Sequence, residues 1–166
     1  MLINDGIPTK EDVAGVAPSE KHFAKGPVAV IECFQKIPCD PCVKACPHGA
    51  ILMGDDINNR PEIDLEKCIG CGLCIAKCPG LAIFVIDKTY SKELALVKFP
   101  FEFIPLPEKG QSVCGLDRSG KELGWFEVDR VISGGLKNKT YTISIKVPQE
   151  LAMEVRNMKI GGYKNA

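Results

Sequence analysis

The apolar positions of this chain follow one pattern up to about residue 88 and another after it. Residues 28–31 (VAVI) form an unbroken apolar run of strand length, and 50–53 and 82–86 have the same character. Short helices fit 41–46 and 72–78. Residues 60–64 complete a hairpin with 50–53 across the turn formers Gly54, Asp55, Asp56, Asn58 and Asn59. The order is β-α-β-β-α-β, with both halves sharing one sheet.

Beyond residue 88 strict alternation takes over. Val97, Phe99, Phe101 and Phe103 alternate with Lys98, Pro100 and Glu102, and the proline within the run predicts an edge strand. Strands follow at 112–116 and 122–132 around a turn at 117–120. Another is expected at 141–147, after the break at Gly134 and Gly135. Four short strands with tight turns predict a small half-open β-barrel over 89–148, suited to docking a protein. Leu151, Val155 and Met158 keep helical spacing after Pro148, so 149–166 reads as a helix over 150–159 and a tail. Residues 1–26 lack a clear period and contain Pro8 and Pro18, as in an extended arm, which either wraps a partner subunit or is a disordered leader.

The 166 residues, 45% of them hydrophobic, suffice for one ordinary domain or two small ones. The 21 basic and 21 acidic residues cancel, so no overall field favours nucleic acid or an anionic membrane. No run approaches the roughly 18 apolar residues of a membrane span, and the start lacks a basic segment followed by an apolar one. These features read as a cytoplasmic chain. In a reducing compartment nine cysteines point to metal binding more than to disulfides.

Eight of the nine lie between Cys33 and Cys78. Cys68, Cys71, Cys74, Cys78 and Pro79 spell C-x2-C-x2-C-x3-C-P, a run that holds iron-sulfur clusters. Closely spaced thiolates can surround one cluster only if the loop between them turns sharply, which Gly70 and Gly72 permit. The loop N–H groups can then turn inward toward the cluster sulfurs. An internal repeat strengthens the reading: 32 residues before Cys71, Cys74, Cys78, Pro79, Ala82 and Ile83 stand Cys39, Cys42, Cys46, Pro47, Ala50 and Ile51. The repeat fails once. Lys36 stands where Cys68 predicts a cysteine, and the nearest is Cys33, which makes the first loop three residues longer.

Over residues 26–87 these runs resemble the two-cluster bacterial-type ferredoxins. The resemblance implies an α+β fold, with a ferredoxin-like βαββαβ two-cluster domain at 27–88 followed by the barrel-like unit. In that family the fourth cysteine of each run ligates the other cluster. One 4Fe-4S cluster is therefore implied on Cys33, Cys39, Cys42 and Cys78, and a second on Cys46, Cys68, Cys71 and Cys74. If Cys33 is not a ligand, its site could hold a 3Fe-4S cluster or recruit another group. Residues 26–46, GPVAVIECFQKIPCDPCVKAC, also look like the small ferredoxin-like subunits of anaerobic multi-subunit flavin dehydrogenases acting on proline, hydroxyproline and related amines. That likeness implies a flavin-containing partner subunit in a hetero-oligomeric complex and a soluble electron acceptor.

Other readings stand beside this one. C-x2-C pairs also ligate structural zinc, although zinc does not explain two C-x3-C-P endings at one offset. Cys114 fits a buried small hydrophobe, His48 a solvated loop and Trp125 the barrel core, while Ile69, Leu73 and Ile75 are expected to screen a cluster. There is no G-x-G-x-x-G, no phosphate-binding loop and no catalytic constellation, so no catalytic residue is assigned. The expected function is an electron-transfer subunit. A free-standing carrier, or an iron-sulfur regulatory or RNA-binding protein, are the alternatives.

Overall fold

A computed structural model describes residues 2–165. Its strands are β1 (Val28–Ile31), β2 (Ile51–Leu52), β3 (Glu62–Ile63), β4 (Ile83–Asp87), β5 (Leu94–Phe101), β6 (Ser112–Leu116), β7 (Glu122–Ser133), β8 (Tyr141–Pro148) and β9 (Asn157–Met158). The order β1-β4-β5-β8-β7-β6-β9 makes one antiparallel sheet, and β2 pairs with β3 apart from it. The helices are α1 (Leu2–Asp5), α2 (Lys10–Val16), α3 (Glu20–Phe23) and α4 (Pro41–Ala45), with single 3-10 turns at Ile75–Lys77 and Gln149–Leu151. The fold is thus mixed, mostly antiparallel sheet with few helices.

β1 and β4 read as unbroken apolar runs because both of their faces are covered. Val28, Val30, Phe84 and Ile86 point into a large core with residues of β5, β8 and the later strands. Ala29, Ile31, Ile83 and Val85 point the other way, into a smaller core with Cys42, Ile51, Cys74 and Ile75. Each strand is therefore a wall between two cores.

The sheet crosses the expected boundary near residue 88 without a break, since β4 pairs β1 on one side and β5 on the other. Pro100 lies in this interior strand, yet β5 pairs with β4 only through Lys98 and meets β8 alone at Pro100. The proline thus occupies a local edge. β7 serves two neighbours, pairing β6 with its first half and β8 with its second across an irregularity between Val128 and Arg130.

Four expectations are corrected. Residues 1–26 are no extended arm over the described part, because α1, α2 and α3 occupy it. Thr9 starts α2 by a reciprocal cap: its hydroxyl accepts from the Asp12 N–H at 3.1 Å and the Asp12 carboxylate accepts from the Thr9 N–H at 2.8 Å. The helix expected at 150–159 is a 3-10 turn followed by β9, because β6 captures Asn157 and Met158 as a strand while Val155 and Met158 still reach the core. The helix at 72–78 shrinks to the turn at Ile75–Lys77. Trp125 is 45% exposed rather than core, since its neighbour Phe126 takes the inward position and the Lys164 ammonium sits 3.5 Å from the indole centroid.

Among the described residues no helix is long and apolar enough to cross a membrane. Phe99 is fully buried at the centre of β5. Phe99→Ala is expected to destabilise the protein by about 3–5 kcal/mol in denaturant unfolding, without moving the cysteine loops.

Candidate metal centre

The two cysteine runs fold into two like turns, bond for bond. α4 begins with Pro41 at its first position, which needs no N–H there, and turns Cys42 inward. Cys46 leaves α4 in extended conformation with its N–H on the Val43 carbonyl, and Cys78 leaves the second turn with its N–H on the Ile75 carbonyl, each at 3.3 Å. The chain then reverses through Gly49 at φ +58° and Leu81 at φ +52°, the one non-glycine with positive φ among the described residues. That reversal aims the next amide at the sulfur: Ala50 N–H donates to Cys46 Sγ at 3.3 Å and Ala82 N–H to Cys78 Sγ at 3.4 Å. The same alanines accept from Asp64 N–H at 2.7 Å and Glu32 N–H at 2.8 Å. Hence the repeat in the sequence extends past each Cys-Pro to an alanine and an isoleucine.

All eight candidate thiols fall into two groups. Cys33, Cys39, Cys42 and Cys78 line one hollow, backed by Ile31 and Ile83. Cys46, Cys68, Cys71 and Cys74 line another, backed by Ala29 and Ile51. Each hollow takes its fourth thiol from the other run. Ala29 N–H donates to Cys68 Sγ at 3.4 Å, so the exposed edge of β1 also serves the second hollow.

Among the described residues no three His, Cys, Asp or Glu side chains converge closely enough to hold a single metal ion, as a zinc site requires. Thiols spread round a hollow fit a multi-atom cubane with four outer coordination positions, and the N–H···S bonds suit thiolates. The residues present therefore fit two 4Fe-4S clusters.

Burial pushes the Cys42 thiol up to about 11 and the Cys74 thiol up to about 12, helped by Cys78 and Cys39 beside the first and by Cys68 and Cys71 beside the second. Cys33 is raised by burial and then by Cys78 and Cys39, its companions around the hollow. Cys114 lies buried in β6, away from both hollows. His48 is exposed at the rim of the second hollow. Ile75 is fully buried, whereas Ile69 and Leu73, expected as screens, stand at that rim 56% and 57% exposed.

Sequence reasoning missed Glu32, the residue before Cys33. Its side chain is 6% exposed and held by Arg118 and Arg156. Burial opposes its ionisation, but hydrogen bonds and charge from the two guanidinium groups hold the carboxyl below its usual range. The available signal was a lone acid at the end of an apolar run. Asn138, on the β7–β8 loop, was also missed. It donates to the Ala76 carbonyl and ties that loop to the second cysteine turn.

Gly70 has φ +62°, and a Cβ there would run into the Pro27 backbone. Gly70→Ala should destabilise the protein by more than the ~1–2 kcal/mol of left-handed backbone alone and lower iron retention in the second hollow, as iron analysis and unfolding would register. A pH dependence follows from the raised thiols. The cluster-free fold binds their protons more tightly than the unfolded chain does. Its stability is therefore fully present below the ordinary thiol pKa of 9.0 and falls as pH rises toward about 11 and 12. Thermal melts of the cluster-free protein across that window check the sign.

Three relatives place these features. The chain is 40% identical over 57 residues to the isethionate sulfite-lyase activating enzyme of Desulfovibrio desulfuricans, covering 34% of this chain and 18% of that protein. It is 42% identical over 52 residues to an uncharacterised ferredoxin of Methanocaldococcus jannaschii, covering 31% and 32%. It is 43% identical over 47 residues to pyruvate synthase subunit PorD of Methanothermobacter marburgensis, covering 28% and 51%. The chain thus spans between about a fifth and a half of these relatives. No solved structure matches it. Residues 37–82, which carry seven of the eight thiols, match the family model described as the 4Fe-4S dicluster domain, so this segment is a 4Fe-4S dicluster ferredoxin domain.

Proposed function

We propose that the chain relays single electrons through two 4Fe-4S clusters, one held by Cys33, Cys39, Cys42 and Cys78 and the other by Cys46, Cys68, Cys71 and Cys74. The observation that carries this reading is the pair of separate thiol quartets, each completed by a cysteine of the other run. When bound, such clusters take up and release one electron at a time. The chain's own residues hold and insulate. Ile75, Ile83 and Val85 fill the space behind both hollows and keep water out, while N–H groups of Ala29, Ala50 and Ala82 meet negative charge on the sulfurs. Cys71 is the exposed member of the eight and marks the side from which a partner's redox centre would exchange electrons.

Among the described residues there is no constellation for bond-making chemistry on an organic substrate. We therefore read it as a subunit of a larger oxidoreductase, with the later strands as its docking part. Similarity to a pyruvate synthase subunit supports the subunit assignment. The likeness of residues 26–46 to ferredoxin-like subunits of amine and amino-acid dehydrogenases supports a flavin partner. A flavin handles two electrons and needs a one-electron outlet.

Anaerobic purification of the untagged chain from its host, with iron and sulfide analysis and paramagnetic resonance, tests this. About eight irons and a flavin-containing companion are expected. A lone monomer with both clusters would overturn the subunit assignment in favour of a free carrier, and zinc without iron would overturn the relay.

A further inference from the structure

The two repeats match at Glu32 and Asp64, each of which donates its N–H to the alanine carbonyl of the other turn and opens the loop to the next cysteine. From there they part. Asp64 supports its own loop: its carbonyl accepts from Lys67 N–H at 3.1 Å and Cys68 N–H at 3.0 Å, and its carboxylate accepts from Glu66 N–H at 3.1 Å. The Lys67 ammonium adds an ion pair at 3.2 Å. Cys68 is thus delivered by a tight local turn.

The loop from Cys33 to Cys39 has no such turn. Among the described residues, no backbone N–H of 33–38 reaches a backbone carbonyl, and Cys39 N–H makes one long bond of 3.4 Å to Ile57. Glu32 is instead gripped from outside. Arg118, on the turn between β6 and β7, binds its carboxylate through two nitrogens at 2.8 and 2.7 Å, and Arg156, ahead of β9, adds a third contact at 2.8 Å. Both arginines are themselves fixed. Arg118 also donates to the Met153 carbonyl, and Arg156 donates to the carbonyls of Ala152 and Val155 with its guanidinium over the Phe84 ring. A planar guanidinium meeting a carboxylate through two parallel bonds fixes direction as well as distance.

We propose that Glu32, Arg118 and Arg156 form a positioning device that presents Cys33 to the first hollow, replacing from a distance the support that Asp64 gives Cys68 locally. This explains how a cysteine run with three extra residues can still supply its first thiol, and why the chain packs little-exposed ions beside that loop. The inference rests on Cys33 being a ligand of the first cluster.

The test uses the complete protein purified anaerobically and then exposed briefly to hexacyanoferrate(III). A cubane that has lost one thiolate sheds iron: [4Fe-4S]2+ gives [3Fe-4S]+ and Fe2+, and the one electron released reduces the hexacyanoferrate(III). The [3Fe-4S]+ product has a distinct paramagnetic resonance signal in the oxidised sample. Glu32→Gln and Arg118→Met should shed one iron of about eight at least several-fold faster than wild type and show that signal, while the second cluster persists. Arg118→Lys, which keeps the charge but lacks the two-pronged grip, should do so to a lesser degree and serves where loss of charge blocks folding. Folded variants that keep iron at the wild-type rate, or an Arg118→Lys protein indistinguishable from wild type, would overturn the proposal, as would equal loss of both clusters. Cys33→Ser separates the two levels: if it retains the wild-type spectrum, the ligand assignment fails before the positioning device is in question.

Discussion

Cys46 and Cys78 each end one helical turn and line the hollow built by the other run. Everything around them is arranged to make that exchange possible. The reversal at Gly49 and at Leu81 turns an alanine N–H back onto each sulfur, and the same alanine's carbonyl receives the N–H of Asp64 or Glu32. Those two acids stand at the ends of β3 and β1, so hollow and strand are joined by one peptide unit. The halves cannot be pulled apart without opening both hollows at once. A left-handed leucine at the second reversal, in a conformation that costs a residue with a Cβ about 1–2 kcal/mol, shows how firmly the surroundings dictate that turn.

The later strands follow from the same arrangement. β1 and β4 must bury one face against the cysteine turns, which leaves Val28, Val30, Phe84 and Ile86 on the other. β5 pairs directly with β4 and β8 with β5, and the large core they build covers the second face. The later sheet also reaches back into each repeat by a polar contact, Arg118 and Arg156 to Glu32 in the first and Asn138 to Ala76 in the second. It is structurally one with the cysteine region.

The sequence made the cysteine region legible because spacing there is set by chemistry. Repeat offset, glycine positions and Cys-Pro endings are local signals, and the eight thiols line two hollows. The strands beyond residue 88 were legible from alternation at Val97, Phe99 and Phe101 and at Ile143 and Ile145. What failed depended on contacts between distant residues. Val155 and Met158 have helical spacing, yet the open edge of β6 claims Asn157 and Met158 as a strand, a competition invisible to periodicity. Trp125 lost the inward position to Phe126, which alternation alone could not decide without knowing which face of β7 packs on the core. At the start of the chain, the Thr9 and Asp12 pair is the local signal for α2, set among prolines that favour extended chain. The continuity of the sheet was not legible at all, since the turn between β4 and β5 looks the same whether it links domains or neighbouring strands.

The two hollows are alike in plan but not in support. The second receives two N–H···S bonds, from Ala29 and Ala50, and the first receives one, from Ala82. The residue 32 places after Ala29 is Pro61, which lines the first hollow and has no N–H to give. The first run also lacks the local turn that Asp64 builds and stands instead beside a buried cluster of two arginines and a glutamate. Hydrogen bonds to sulfur and nearby fixed charge are both levers on an iron-sulfur centre. Two identical clusters held here would meet different surroundings, and that difference arises where the repeat itself breaks. The longer loop after Cys33, the missing N–H at Pro61 and the contacts from Arg118 and Arg156 all bear on the first hollow, which has fewer local hydrogen bonds and is braced by strands far along the chain.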